Sequence, residues 1–269
     1  MSANRKPLVV VLAGPNGAGK SSAAASLLPE LGIDEFVNAD VIAAGLSPSD
    51  PQSAALPAGR IMLQRLGELI AAGRDFALES TLSGRAYQRL FTELAGASYD
   101  INLYYLWLPS PDMSLERVRG RVRLGGHDIP ESDIRRRYAR GIENFYWIYR
   151  PMASRWLVQN GNAAGEHREV AEGRGSTLDF VHDPVIWSTI QRQVGETNMT
   201  SGPAKRVREV AVSRNRIQDA FLLADREVIL RHRAGGVPLV FWRDGKVVHV
   251  DPNAVDLPEV RELAEHTGT

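Results

Sequence analysis

Apolar residues recur along this chain in two rhythms. Leu8 to Ala13 is an unbroken apolar and β-branched run, Phe76-Ala77-Leu78 a short one, and Ile101 to Leu108 a longer aromatic one, as in strands buried on both faces. Glu35-Phe36-Val37-Asn38 reads as a further strand ending at Ala39-Asp40. Between these runs the period lengthens. Ser22 to Leu28 has helical propensity, Gln52 to Ala72 carries Ile61, Leu63, Leu66, Leu69 and Ile70 near helical spacing before Gly73, and Arg85 to Ala95 reads as another helix. Strands alternating with helices predict an α/β fold, a parallel sheet with helices on both faces and ligands at the carboxyl ends of the strands.

Past Leu108 the pattern is helical and arginine-rich from Ser114 to Leu124, breaks at Gly125-Gly126-His127-Asp128-Ile129-Pro130, and resumes from Glu131 to Tyr149. Two helices on a glycine hinge predict a lid whose basic face carries Arg121, Arg123, Arg135, Arg136, Arg137 and Arg140. Arg136 and Arg140, four apart, and Arg137 and Arg140, three apart, can converge on one phosphate from a single face, although a solvated face paired to Glu131, Asp133 and Glu143 is the alternative. Trp156-Leu157-Val158 and Thr177 to Val181 read as the last strands of this part, the charged, glycine-rich stretch between them is unassigned, and Ile186 to Val194 closes it as a helix.

The organisation expected is a first domain over 1–195, a polar Gly/Pro linker over 196–205, and a small α+β module over 206–269. In the module, Val207 to Val228 traces an amphipathic helix stopped by Gly235-Gly236. Pro238 to Trp242 and Lys246 to Val250 form a hairpin about Asp244-Gly245, and Leu257 to Glu265 a final helix. So small a unit is expected to pack on the first domain or on a second subunit.

Gly14-Pro15-Asn16-Gly17-Ala18-Gly19-Lys20-Ser21, between the first strand and the first helix, changes the picture most. It is a complete G-x-x-x-x-G-K-S phosphate-binding loop (P-loop), in which backbone N–H groups surround a phosphate, Lys20 reaches the β and γ oxygens, and Ser21 offers its hydroxyl to Mg²⁺. The following helix adds the positive end of its dipole, so Gly14 to Ser22 is the expected nucleotide cradle. Composition adds exclusions. The 269 residues carry 32 Lys plus Arg against 32 Asp plus Glu, so no global field argues for nucleic acid or an acidic membrane. The lid's basic cluster lacks stacking aromatics apart from Tyr138, which also argues against nucleic acid. The absence of cysteine excludes disulfides and thiolate chemistry. No stretch approaches the roughly 20 apolar residues of a membrane span, and a cytoplasmic location is the expectation.

The phosphate loop, Asn38-Ala39-Asp40, Glu79-Ser80-Thr81-Leu82-Ser83-Gly84 and Gly125-Gly126-His127-Asp128-Ile129-Pro130 together resemble the zeta toxin family of P-loop kinases, particularly its chromosomal branch, over about residues 7 to 194. The resemblance implies ATP- and Mg²⁺-dependent phosphorylation of a sugar hydroxyl on a UDP-amino sugar such as UDP-N-acetylglucosamine, and an antitoxin covering the nucleotide site. It also implies that Asp40 is the catalytic aspartate, that Glu79 and Thr81 line the acceptor pocket, and that Arg137 stabilises the transferred charge. The other lid arginines match only as a region, with Arg123 assigned to the nucleotide and Arg136 and Arg140 to the acceptor. The module after Met199 lies outside the resemblance and is a candidate antitoxin-like element acting in cis.

The residues carry the same chemistry. Phosphoryl transfer needs positioning and positive charge more than a strong base, and an ionised Asp40 can orient a hydroxyl and take its proton late in transfer. Asp40 as a mere helix cap, His127 as a turn residue, and either Asp40 or Glu79 as the Mg²⁺ partner through water remain open. A nucleoside or antibiotic kinase and an ATP-dependent switch are the rival readings.

Overall fold

The computed structural model describes residues 5–162, 169–195 and 211–258, with the side chains of 211–216 left aside. The expected linker and most of the expected final helix lie outside these residues, and Leu257 and Pro258 are non-helical. A seven-stranded sheet has the order β2-β3-β1-β4-β5-β6-β7, built from β1 (Leu8–Ala13), β2 (Phe36–Val37), β3 (Phe76–Ser80), β4 (Asp100–Trp107), β5 (Arg155–Asn160), β6 (Glu169–Arg174) and β7 (Thr177–Val181). The first five strands are parallel. The edge departs from the all-parallel expectation, because β6, in the stretch left unassigned, runs antiparallel to both β5 and β7.

Strand alternation divides the core. Val9, Val11 and Ala13 face one layer with Leu78, Phe91, Tyr105 and Trp156, while Val10 and Leu12 face the other with Leu27, Leu106 and Met113. Helices α1 (Lys20–Leu31), α2 (Ala39–Leu46), α3 (Ala55–Ala71), α4 (Tyr87–Gly96) and α5 (Pro111–Arg123) follow the strands, and α6 (Glu131–Asn144) follows the glycine hinge. The helix expected to run from Glu131 to Tyr149 widens into a π-helical turn at Phe145–Tyr149 before the short α7 (Arg150–Met152). Three aromatics of that turn are buried: Phe145 stacks on Tyr105 at 4.2 Å, Tyr146 meets Trp187 at 5.7 Å, and the Tyr149 hydroxyl donates to Gly84 O.

After α8 (Pro184–Gln193) the described chain resumes with α9 (Ala211–Gly235) and the hairpin β8 (Leu239–Arg243) and β9 (Lys246–Val250). Its turn has φ of 50° at Asp244 and 76° at Gly245, the left-handed pair that Asp-Gly favours. The helix does not stand apart. Ile217, Ala220 and Phe221 of α9 and Val240 of β8 join Ala23, Ala24, Leu27 and Leu28 of α1 in one core cluster. Among the described residues no helix is long and apolar enough to cross a membrane.

Candidate active site

The loop between β1 and α1 takes its shape from its glycines. Gly14 has φ 138°, and a Cβ there would lie 2.3 Å from Leu106 O on β4, so no other residue lets the loop leave the sheet this way. Helix α5 grips the loop from behind. Its N-cap Ser110 accepts from Met113 N, and one turn on, Ser114 donates to Asn16 O at 2.5 Å and Arg117 to Gly17 O at 3.4 Å. In a trans peptide the C=O and the next N–H point in opposite directions, so the Asn16 carbonyl held against α5 turns the Gly17 amide away from α5, while the Ala18 N–H donates to Pro15 O at 3.3 Å across the loop.

Lys20 is only 6% exposed. Its ammonium donates to Pro15 O at 2.9 Å and lies 3.7 Å from a carboxylate oxygen of Glu79. Burial lowers its pKa, against the opposing pull of Glu79 and then Asp40. Glu79 stands at the carboxyl end of β3, opposite Leu12 in the register with β1. Its other oxygen accepts from Ser21 Oγ at 2.7 Å and from Asn38 Nδ2 at 2.9 Å.

Asn38 links two parts of the site. Its Oδ1 caps α2, accepting from Asp40 N at 2.8 Å and Val41 N at 3.4 Å, while its amide holds Glu79. The cap is therefore Asn38 and not Asp40. Asp40 lies exposed in the first turn of α2, close enough for its charge to act on Lys20 and Arg121. The Asn-Ala-Asp spacing, a favoured capping residue two before the acid, was the available signal for this arrangement.

Of the lid arginines, Arg121 is the one whose charge is felt here. Burial lowers its pKa, opposed by Asp40, then Glu79, then Asp128. Its Nη2 donates to His127 O at 3.2 Å, which closes the glycine hinge, and its Nε is buried with no hydrogen-bond partner among the described residues. The other arginines lie elsewhere. Arg136 and Arg137 both turn to Asp133, at 2.9 Å and 3.7 Å, Arg135 pairs with Asp112 and Glu131, and Arg123 and Arg140 are exposed. Convergence of Arg136, Arg137 and Arg140 on a single point is not seen in this conformation. Arg121 was visible in the sequence only as one basic residue among several.

Thr81 follows β3 in a tight loop, with its hydroxyl 2.9 Å from that of Ser83. Between them Leu82 is fully buried with φ 53°, a conformation costly for a branched side chain. The segment after the hinge holds it: Asn144 donates to Leu82 O at 2.8 Å and Tyr149 to Gly84 O at 2.6 Å. Gly141 packs so closely that a Cβ would lie 2.5 Å from Thr81 O. Gly141→Ala is accordingly expected to lower the unfolding free energy by about 1–3 kcal/mol, measured in denaturant; an unchanged midpoint would contradict this packing.

Mg²⁺ fits the oxygen donors present. Ser21 Oγ and Glu79 are mutually bonded at the mouth of the loop, and among the described residues no group of three or more His, Asp or Glu side chains could hold an ion. Such sparse, hard ligation suits Mg²⁺, which takes one or two protein groups and completes its shell with phosphate and water.

Residues 9–140 match the AAA domain family. An uncharacterized protein of Haemophilus influenzae is 32% identical over 126 residues, covering 46% of this chain and 88% of the relative. Among solved structures, one from the PezAT chromosomal toxin-antitoxin system of Streptococcus pneumoniae is similar at TM-score 0.51 and 14% identity, covering 73% of this chain and 88% of that one. An AvrRxo1-ORF1:ORF2 structure with ATP is similar at TM-score 0.54 and 15% identity, covering 86% of this chain and 76% of that one. At these identities the likeness to solved structures is one of fold. The chain belongs to the same family as the Haemophilus influenzae protein, and its mostly parallel sheet with a phosphate loop between β1 and α1 is a P-loop fold.

Proposed function

We propose that this protein is a Mg²⁺-dependent phosphotransferase that moves the γ-phosphoryl group of ATP to a hydroxyl of a small molecule, with a UDP-amino sugar such as UDP-N-acetylglucosamine as the acceptor class. The observation that carries the reading is the linked series Lys20, Glu79, Asn38 and the amide of Asp40, which ties the phosphate loop to an exposed carboxylate in the first turn of α2. The choice of sugar nucleotide rests on the resemblance of the four sequence blocks to zeta toxins.

In this mechanism the backbone N–H groups available between Gly14 and Ser22, those of the first turn of α1 included, and the Lys20 ammonium hold the β- and γ-phosphates. Ser21, and Glu79 directly or through water, would hold Mg²⁺, which would supply charge neutralisation at the phosphate oxygens. Asp40 accepts a hydrogen bond from the acceptor hydroxyl and aligns it; as the new P–O bond forms and the bond to the β-phosphate oxygen breaks, ADP leaves and the hydroxyl proton passes to Asp40. Arg121, on which the charges of Asp40 and Glu79 act, is the arginine assigned to meet the spreading negative charge, with Arg137 and Arg123 as lid groups that approach on closure. Glu79 and Thr81, and Arg136 and Arg140 from the lid, are the acceptor-side candidates. The cellular setting is the cytoplasm. The antitoxin named with the PezAT system supports, by analogy, a protein partner for this chain as well.

The test is mass spectrometry of a panel of UDP-sugars and nucleosides incubated with ATP and Mg²⁺. A phosphate gained by a UDP-amino sugar supports the reading; phosphate gained only by a nucleoside keeps the kinase and replaces its acceptor; no phosphorylated product from an ATP-binding protein contradicts it.

The lowered pKa of Lys20 gives a signed pH prediction. The folded chain holds this proton less tightly than the unfolded one, whose lysine titrates at the ordinary value of 10.5, so this group favours folding more as pH rises through the folded value toward the unfolded one. A bound triphosphate acts oppositely, since it favours the ammonium. Calorimetry in alkaline buffers of different ionisation enthalpy should therefore record proton uptake on nucleotide binding, lost in Lys20→Met. Binding without uptake in the parent at every alkaline pH would contradict the contact between Lys20 and phosphate.

A further inference from the structure

We propose that α9 and the β8–β9 hairpin are an internal brace for the phosphate loop, which sustains nucleotide affinity and acts through Arg117. The inference rests on the nucleotide reading and deepens it. Arg117 bridges three separate pieces of backbone: its Nη1 donates to Gly161 O at 2.7 Å, just past β5, and to Gly17 O in the loop at 3.4 Å, while its Nε donates to Val240 O of β8 at 3.1 Å. A planar guanidinium with donors fixed in a fork cannot turn toward one carbonyl without leaving another, so the position of β8 is transmitted to Gly17.

A second fastening holds the hairpin in place. Asn162, one residue beyond Gly161, donates to Trp242 O at 3.0 Å and accepts from Trp242 N at 2.7 Å, a two-bond clasp that reproduces strand pairing. Behind the loop Phe221 and Ala220 of α9 pack in one cluster with Ala18 of the loop itself and with Ala24 and Leu27 of α1. At the far end of α9, His232 and Val237 come within about 4 Å of the Cβ position of Gly120, the residue before Arg121. The C-terminal elements thus support the loop, its helix and the start of the lid hinge from the side of α5.

The described hydrogen bonds and ion pairs of Lys20, Ser21, Asn38, Asp40 and Glu79 involve no residue of 211–258. An inhibitory element acting in cis would occupy the phosphate groups' own partners. These elements instead fix the rear of the loop, and the physical consequence is a preorganised anion site, in which less ordering accompanies binding.

The experiment is calorimetric binding of a non-hydrolysable ATP analogue with Mg²⁺ to the full chain and to its Arg117→Met, Arg117→Lys and Asn162→Ala variants. Stoichiometry reports the fraction folded and Kd the quality of the loop, so a merely structural role would lower the first and leave the second. The brace predicts full stoichiometry with Kd raised about tenfold or more in Arg117→Met, partial recovery in Arg117→Lys, and about a threefold rise in Asn162→Ala, whose side chain bonds Trp242 of the hairpin and not the loop. Should Arg117→Met not fold, the comparison of Asn162→Ala with the parent decides alone. Unchanged Kd in folded variants, or tighter binding, overturns the brace and leaves the nucleotide site intact. Failure of the parent to bind the analogue overturns both.

Discussion

Asp40→Asn is expected to bind ATP as tightly as the parent and to transfer phosphate about 10²–10⁴-fold more slowly, the range for loss of a positioned general base. The separation of the two effects follows from where Asp40 sits. Its backbone amide is fixed by the Asn38 cap, which does not depend on the Asp40 side chain, so Lys20, Ser21, Glu79 and the loop keep their contacts in the variant. Its exposed side chain has no short polar contact to lose among the described hydrogen bonds and ion pairs. The asparagine keeps the shape and gives up the charge and the proton-accepting oxygen. A rate within a few-fold of the parent, in steady-state assays at saturating ATP, would leave Asp40 without a chemical role.

Lys20→Ala is expected to damage binding and transfer together. A charge-assisted contact to phosphate is worth about 1.5–3 kcal/mol, so the nucleotide Kd should rise by roughly 10–100-fold. A further loss of about 10²–10³ in kcat follows from removing a preorganised cation from the transferring group. The same change strips the part-buried carboxylate of Glu79 of its cation but leaves its bonds from Ser21 and Asn38 and its partial access to water, so the folded state should survive at lower stability. Equilibrium binding and single-turnover rates measured on the same preparation separate the two losses. A Lys20→Ala protein with the parent's Kd would mean that the loop does not hold phosphate.

The divided core explains how much of this was legible. Strands β1 and β4 are buried on both faces, so every residue of Val9 to Leu12 had to be apolar and the run stood out. The phosphate loop was equally plain, because its glycines meet backbone constraints that other residues cannot. Strand β6 was hidden: Glu-Val-Ala-Glu-Gly-Arg offers two buried apolar side chains, and it forms because β5 and β7 supply partners on either side. Its Gly173 admits the Trp156 ring, whose nearest atom would lie 2.4 Å from a Cβ, a tertiary requirement invisible in local pattern.

Around the site the limit was direction rather than identity. Asp40 and Glu79 were recognisable as acids at strand ends, but the amide of Asn38 that joins them is a contact across two strand ends. The arginines on either side of the hinge share charge and spacing. Which one faces Asp40 depends on how Leu124 to Pro130 turns the chain and on which acids lie near: Asp133 draws off Arg136 and Arg137, leaving Arg121 on the face of α5 that also carries Ser114 and Arg117. The role of Arg117 had no local signal, since the acceptors that tie it to the loop, to β8 and to the end of β5 are backbone carbonyls from distant segments.

The most direct measurement follows the phosphoryl group itself, using ATP labelled with heavy oxygen on the γ-phosphate and an acceptor from the UDP-amino sugar class. The labelled oxygens are predicted to arrive on the acceptor, joined through the acceptor's own unlabelled oxygen, in the parent protein and about 10²–10⁴-fold more slowly in Asp40→Asn at equal nucleotide occupancy. Label recovered only as inorganic phosphate, or transfer undiminished without the Asp40 carboxylate, would contradict phosphoryl transfer to an alcohol aligned by that residue.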